Sequence, residues 1–354
     1  MNDVLIVIPS LNPTAELLEY VDSLIKNGFG KILLIDDGSN KDESKEVFNK
    51  LENYEECVIL RHAVNMGKGR ALKDAFNYYQ LYFADSYTGI VTVDSDGQHC
   101  VEDVIKMTEA LNENPDSLIL GVRDFDQDNV PFKSKFGNKI TKFVMKLLYG
   151  GNISDTQTGL RGIPNKLINS YITLFGERFE YETTMLIETL QRKINIHEVK
   201  IRTIYINDNS ETHFKPLQDS LKIYKLIFGT FFKYLLSSIS SALIDFLFFG
   251  LFVSLLHNFD LAVKIGVATV LARIISSIYN YTVNKNIVFK SNKKRSTFIK
   301  YYILFFLQMC CSAAGVYLIC RIGLPEFWSK IIVDTVLFLI SFQIQRIWIF
   351  SKEV

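Results

Sequence analysis

From residue 1 to about 215 the chain alternates short aliphatic runs with charged stretches of helical period. "VLIVIPS" precedes "AELLEYVDSLIKNG", and "KILLIDDGS" precedes a second, strongly charged helical segment. "CVILRH", a helix from about residue 68, "GIVTVDSD", a helix from Glu102 and "SLILGVR" follow. Runs that are apolar at nearly every position suit strands covered on both faces. That pattern predicts an α/β unit with a mainly parallel sheet sandwiched by helices. Such sheets bind ligands beyond the carboxyl ends of their strands. Three of the runs end there in polar clusters: Ser10–Asn12, Asp36–Ser39 and Asp94–His99.

The pattern changes from about residue 228. Four stretches, roughly 232–256, 261–282, 298–322 and 328–350, are long and apolar. A helix needs ~20 such residues to cross ~30 Å of hydrocarbon, so an all-α domain of four transmembrane helices is predicted. Just before them, Leu217, Leu221, Tyr224, Phe228 and Phe231 fall along one helical side. This segment is expected to lie on the bilayer as a separate amphipathic helix. Lys285, Lys290, Lys293, Lys294, Arg295 and Lys300 crowd the connection between the second and third spans, whereas "HNFD" between the first and second has no Lys or Arg. The positive-inside rule then places that basic loop, both termini and the N-terminal domain on the cytoplasmic face of a multi-pass protein of the cell membrane. "NYTVNKNIVF" (Asn280–Phe289) is similar to "SFQIQRIWIF" (Ser341–Phe350), an internal repeat that supports four spans rather than three. Asp245, Arg273 and Asp334 lie inside spans, where charges pair, snorkel or serve function.

Composition agrees with this division. Hydrophobic residues make up 48% of the chain beside 22% charged ones, so the two kinds must be unevenly distributed. The formal net charge of +1 suggests no nucleic-acid partner. The cysteines (Cys57, Cys100, Cys310, Cys311 and Cys320) are odd in number and form no CxxC pair, so neither a disulfide framework nor a zinc site is expected. No signal peptide is expected either, because the apolar run near Met1 is short and no basic region precedes it.

Motif exclusion narrows the chemistry. The first strand is not followed by G-x-G-x-x-G, and "NMGKGRAL" only partly mimics a phosphate-binding P-loop. An EF-hand starting at Asp94 would need Gly at position six and Glu at position twelve, where His99 and Ile105 stand. What remains is a short acidic strand end. Asp94, Asp96 and Gln98 offer hard oxygen donors, a set that suits Mg²⁺ or Mn²⁺ shared with a substrate diphosphate.

Together "VIPSLN", "LIDDGS", "NMGKGRAL", "VDSDGQH", "LGVR", "DTQTGLRGI" and "ETHFKPLQDSL" carry a resemblance that spans most of residues 1–225. The N-terminal part resembles a family 2 glycosyltransferase of GT-A fold, of the dolichol-phosphate mannose synthase and bacterial polyprenyl-phosphate glycosyltransferase type. The remainder resembles a GtrA-like membrane domain. The resemblance implies a catalytic domain over 1–213, an amphipathic linker over 214–231 and the membrane domain over 232–354. It implies inverting transfer of a sugar from a nucleotide diphosphate to a polyprenyl phosphate at the membrane. A UDP-sugar is favoured as donor, and GDP-mannose and a homo-oligomer stay open.

Carried over by position, Pro9, Ser10, Asn12, Asp37, Gly67, Lys68, Asp94 and Ser95 contact the nucleotide sugar. His213 and Lys215 belong to a loop that closes over the donor. Asp94, Asp96 and Gln98 hold the metal. Asp96, Arg123, Asp155 and Gln157 form the catalytic pocket, and Arg123, Lys133, Lys135 and Asn138 meet the acceptor phosphate. One departure stands out: the family's first loop often reads Asn-Glu, whereas here it is Asn12-Pro13. A phosphate monoester has a second pKa of about 6. The acceptor is thus already ionised at neutral pH and needs no strong base.

Further expectations attach to single segments. In "KSKFGNKITKFVMKLLYG", Phe136, Ile140, Phe143, Val144 and Leu147 share one helical face, with Lys135, Lys139, Lys142 and Lys146 on another. That pattern suits an anionic membrane surface. His99 is expected to shape the pocket, and His62 and His197 to be structural. Arg161 is expected to bind phosphate or an acidic neighbour. Two other functions are open: a processive polysaccharide synthase, for which "QIQRIW" only partly fits a Q-x-x-R-W pattern, and translocation of a lipid-linked sugar by the membrane domain.

Overall fold

The computed structural model describes residues 3–124, 132–202, 216–291 and 296–350. The chain divides into two compact units, Met1–Ile227 and Phe228–Val354.

In the first unit the five predicted aliphatic runs are all strands: β1 (Val4–Ser10), β2 (Ile32–Asp36), β3 (Cys57–Arg61), β4 (Gly89–Thr92) and β5 (Leu118–Arg123). Two further strands, β6 (Arg161–Pro164) and β7 (Ile196–Ile201), complete a seven-stranded sheet of order β3-β2-β1-β4-β6-β5-β7. Every neighbouring pair is parallel except those made by β6, which runs antiparallel to both β4 and β5. The expected mainly parallel sheet is therefore present. All residues of β1 and β2 are buried, as a strand covered on both faces requires. Helix α1 (Glu16–Lys26) shows how the covering works, with Leu17, Val21 and Leu24 buried at helical spacing while Glu16 and Glu19 occupy its first turn. Around the sheet follow α2 (Asp42–Leu51), α3 (Lys68–Tyr82), α4 (Val101–Glu113), α5 (Phe132–Tyr149), α6 (Asn165–Ile172) and α7 (Glu180–Gln191).

This topology has one consequence for function. The carboxyl ends of β1, β2, β3, β4 and β5 and the entrance to the reversed β6 all lie along one edge of the sheet. "VIPSLN", "LIDDGS", "VDSDGQH" and "LGVR" follow strands to that edge, "NMGKGRAL" leads from β3 into α3, and "DTQTGLRGI" enters β6 there.

The second unit is helical. It takes in most of α8 (Pro216–Leu255), then α9 (Leu261–Val283), α10 (Ser296–Arg321) and α11 (Glu326–Ile344). Each includes a segment long and apolar enough to cross a membrane, within a few residues of the predicted spans except that the first begins earlier, at Leu221. The expected separate amphipathic helix is not separate. Helix α8 runs 40 residues without a break, because no proline follows Pro216 and only Gly229 and Gly250 weaken it. At 1.5 Å per residue that is about 60 Å, roughly twice the hydrocarbon thickness. Near its start the buried side chains are Ile223 and Ile227, while Leu221 is exposed.

The sequence repeat is also a structural one. Helices α9 and α11 each continue into a π-helical turn, Asn284–Val288 and Gln345–Ile349. The corresponding residues Asn284 and Gln345 join: Asn284 Nδ2 donates to Gln345 Oε1 at 3.0 Å. Phe289 and Phe350, which end the two turns, stack with centroids 5.3 Å apart. Each hairpin closes by a similar bond, Ser241 Oγ to the Ser276 carbonyl in the first and Gln308 Nε2 to the Leu337 carbonyl in the second. Asp245, Arg273 and Asp334, the charges singled out inside the spans, are paired. Arg273 lies 3.3 Å from Asp245, Lys330 lies 2.9 Å from Asp334, and Ser276 and Ser312 donate to the respective carboxylates. "QIQRIW" belongs to this bundle as well. Gln345 is buried between Asn284 and Tyr234, and Arg346 donates to Gln343.

Candidate active site

The first two loops are tied together by short polar side chains. Asn12 takes a left-handed φ of 51°, receives Asn40 N and Lys41 N on its amide oxygen, and donates its own N–H to Ser39 Oγ at 2.9 Å. Asp37 N donates to the Ser10 carbonyl. The Asp37 carboxylate is buried and accepts three bonds of 2.8 Å, from His62 Nδ1, Met66 N and Gly67 N. It thus shapes the loop that leads into α3. Asn12 and Asp37, expected at the nucleotide, are in this structure the residues that tie together the loops after β1, β2 and β3. His62 has the structural setting expected of it, between Asp37 and Asp74.

Lys68 opens α3 directly after Gly67, whose φ of 104° favours glycine. Its ammonium reaches the acidic strand end, 2.5 Å from Asp94 Oδ1 and 3.0 Å from Glu182 Oε1 on α7. His99 is buried with Nε2 3.6 Å from Asp94 Oδ2, a position beside the acid that fits the expected shaping role. The antiparallel strand supplies the opposite wall. Thr92 Oγ1 donates to the Gly159 carbonyl, and a Cβ on Gly159 would collide with the Asp94 carboxylate. Glycine there is a condition for Asp94 to fit.

Electrostatics divide the two aspartates. Burial disfavours the charge of Asp94, but Lys68 and His99 outweigh it and hold the carboxyl well below the usual range. Asp96 is pushed up, first by burial and then by the charge of Asp94. Burial alone would depress Lys68, yet Asp94 and Glu182 together keep its ammonium above the usual lysine range. The two aspartates therefore differ: the charge of Asp94 is favoured by its neighbours and that of Asp96 is resisted. Gln98 N donates to Asp96 Oδ1 at 3.2 Å, which bends the segment so that Asp94, Asp96 and Gln98 belong to one tight turn at Gly97, φ 71°. Two half-buried carboxylates and a side-chain amide are hard oxygen donors, so the residues present fit a Mg²⁺ or Mn²⁺ ion. Among the described residues no group of three or more His, Cys, Asp or Glu has metal-binding geometry. An ion here would take its remaining ligands from the amide and from substrate.

Arg123, Asp155 and Asn138, expected around the catalytic pocket and the acceptor phosphate, belong to one connected cluster. Arg123, at the end of β5, makes a two-pronged pair with the fully buried Asp155, Nε to Oδ2 at 2.6 Å and Nη2 to Oδ1 at 3.1 Å. Gln157 N also donates to Asp155, and the Gln157 side chain is exposed. Asn138 is buried, with its amide engaged at both ends: Nδ2 donates to the Ser154 carbonyl and Oδ1 accepts from Thr156. It locks α5 to the loop of Asp155. Lys135 is exposed. His213, Lys215 and the side chain of Lys133 lie outside the described residues.

Two expectations need correction. Arg161 is 1% exposed and bonds backbone carbonyls, Thr158 O at 3.0 Å and Glu182 O at 2.7 Å, because β6 carries it into the core. Among the described residues it forms no ion pair with a carboxylate. On α5 the expected apolar face is split. Val144 is buried with Met145 and Leu148 against the unit, while Ile140, Phe143 and Leu147 point outward beside Lys139 and Lys146. Sequence reasoning missed Glu182 altogether. Its segment, "ERFEYETTM", reads as an ordinary acidic helix start.

Residues 5–172 match the family model described as "Glycosyl transferase family 2", and residues 227–350 match "GtrA/DPMS, transmembrane domain". An uncharacterised protein of Methanocaldococcus jannaschii is 28% identical over 65% of this chain and 93% of its own. A UDP-N-acetylglucosamine–dolichyl-phosphate N-acetylglucosaminyltransferase of Methanococcus voltae is 28% identical over 56% of this chain and 85% of its own. A dolichyl-phosphate beta-glucosyltransferase of Saccharomyces cerevisiae is 27% identical over 55% of this chain and 65% of its own. With the sheet, the edge motifs and the four apolar helices, these matches make the chain a family 2 glycosyltransferase domain joined to a transmembrane domain of the GtrA/DPMS family.

Proposed function

We propose that this protein transfers a single sugar, with inversion, from a nucleotide diphosphate to a polyprenyl phosphate, with a UDP-sugar as the favoured donor. The observation that carries the reading is the convergence on one sheet edge of an acidic pair, Asp94 and Asp96, with the Arg123–Asp155 pair. One suits a diphosphate donor with its cation and the other an anionic acceptor. The named activities of the Methanococcus voltae and Saccharomyces cerevisiae relatives point the same way.

The acceptor phosphate oxygen forms a bond to the anomeric carbon while the bond to the nucleotide diphosphate breaks on the opposite face. Mg²⁺ or Mn²⁺, held by Asp94, Asp96 and Gln98, would offset charge on the departing diphosphate. Lys68 adds a fixed cation beside the same diphosphate. Asp155 holds the guanidinium of Arg123 in one orientation, so that it neutralises the acceptor phosphate without reorganising. Asn138 acts behind this pair by fixing the loop that carries Asp155. The outward apolar and lysine surface of α5 suits an anionic bilayer, where the acceptor resides. We place the catalytic unit and both termini on the cytoplasmic side, from the basic loop between α9 and α10.

The test is incorporation of labelled sugar from UDP-N-acetylglucosamine, UDP-glucose or GDP-mannose into chloroform-extractable lipid by the purified protein. A one-sugar lipid product is expected, lost on chelation, restored by Mg²⁺ or Mn²⁺ and reduced at least ~100-fold in Asp96→Asn. A polymeric product would refute the single transfer, and undiminished transfer by Asp96→Asn would refute the metal role.

A further inference from the structure

At the sheet edge two carboxylates share one ammonium. Lys68 Nζ contacts Asp94 at 2.5 Å and Glu182 at 3.0 Å, and the Lys68 and Glu182 side chains are only 17% and 10% exposed. The proposed reaction asks for the same Asp94 carboxylate as a metal ligand. An ammonium and a divalent cation carry like charge and compete for its oxygens. Lys68 has little freedom to swing away, because the first turn of α3 is wedged against the start of α7. A Cβ on Gly69 would fall 2.6 Å from Tyr181 Cβ, one residue before Glu182. Glu182 is itself held in place: Arg161, buried in β6, donates to its backbone carbonyl at 2.7 Å. When Asp94 turns to another cation, the carboxylate already in contact with Lys68 is Glu182.

We propose that Glu182 is a positioning residue that provides the second seat of Lys68, so that the ammonium yields Asp94 to the incoming divalent cation and stays beside the donor diphosphate. In the metal-free protein Lys68 is the built-in counter-ion of Asp94. Without the Glu182 carboxylate its ammonium has Asp94 alone to rest on and resists the exchange. This inference rests on the metal-assisted reading above.

The experiment is a titration of the full-length protein in detergent with Mn²⁺ alone, following free Mn²⁺ by electron paramagnetic resonance. Glu182→Gln is expected to weaken Mn²⁺ binding about tenfold, the scale of one hydrogen bond to a charged group. Glu182→Asp, which keeps the charge, should lose less. Lys68→Met should bind Mn²⁺ more tightly than the parent, since the competitor is gone. In that background Glu182→Gln should change affinity by no more than about twofold, which a merely structural role for Glu182 does not predict. An equal loss in both backgrounds, or no loss in either, overturns the seat while leaving the metal reading intact. Mn²⁺ binding that is unchanged or weaker in Lys68→Met overturns it too, even if Glu182→Gln does not fold. A parent protein that leaves free Mn²⁺ unchanged overturns the seat, which requires the exchange at Asp94 in the substrate-free protein, while the metal reading is decided by the chelation arm of the transfer assay.

Discussion

Gly159 shows how much chemistry rests on an absent side chain. Its Cβ position is taken by the carboxylate of Asp94, 2.6 Å from Oδ1, so any substitution displaces the acid that faces Lys68 and His99. Gly159→Ala is expected to cut sugar transfer by about 100-fold, the scale of an ångström-sized misplacement at a reacting centre. Thermal unfolding should move far less, because the strain is relieved by moving one partly exposed carboxylate. A transfer assay and a melting curve on the same preparation check both halves. The sequence displays "DTQTGLRGI" and "VDSDGQH" as separate motifs. Their contact arises because β6 enters the sheet beside β4 in the reverse direction, pairing Thr92 with Arg161. For Arg161 the same strand decides against a surface role. Charge alone left phosphate and carboxylate open as partners, and burial leaves backbone carbonyls.

Among elements, α5 and the paired π-turns each carry a prediction. Helix α5 faces inward through Thr141, Met145 and Leu148 and outward through Ile140, Phe143 and Leu147. The double substitution Phe143→Ser with Leu147→Ser is expected to leave the melting temperature nearly unchanged, because neither side chain is in the core. It should raise the KM for polyprenyl phosphate in anionic vesicles several-fold with the donor KM unaltered, since a membrane contact affects the acceptor only. Steady-state kinetics against each substrate would check it. In the bundle, Asn284 Nδ2 bonds Gln345 Oε1 in a buried setting. Asn284→Leu is expected to cost about 1–2 kcal/mol, the range for interhelical polar bonds in membranes plus an amide left unpaired. Adding Gln345→Leu should cost less than the sum of the single changes, measured by thermal unfolding in detergent. The sequence repeat marked both segments as equivalent, but helical periodicity alone gives no sign of a π-turn or of two amides meeting across the bundle.

At the scale of the whole molecule, the chain couples a site for a water-soluble donor to helices that suit a bilayer. The division after Ile227 makes a direct prediction. A chain ending there is expected to retain UDP binding, because the described residues of the sheet edge, Glu182 included, all precede Ile227. It should lose transfer to a long polyprenyl phosphate by at least ~100-fold, as a reaction does when its second substrate is no longer held close. Calorimetric titration with UDP and the lipid-extraction assay give the two readouts. The long α8 belongs to this scale too. Its amphipathic beginning and its apolar remainder looked like two elements because their compositions differ, yet no proline or glycine pair interrupts the backbone between them, and the helix runs through.

The sequence by itself determined the class of each half, five of the seven strands, the four apolar helices and the order of the motifs. Those features follow from local periodicity and composition, which act over a few residues at a time. The tertiary structure alone decided β6, four residues long, and β7, whose side chains are only partly buried and whose pattern differs from that of the central strands. It also decided which motif residues face each other: Arg123 with Asp155, Asn138 with the loop behind them, Lys68 with both Asp94 and Glu182. Such contacts join positions far apart in the chain. Their partners are chosen by strand order and helix packing, which no single stretch of sequence displays.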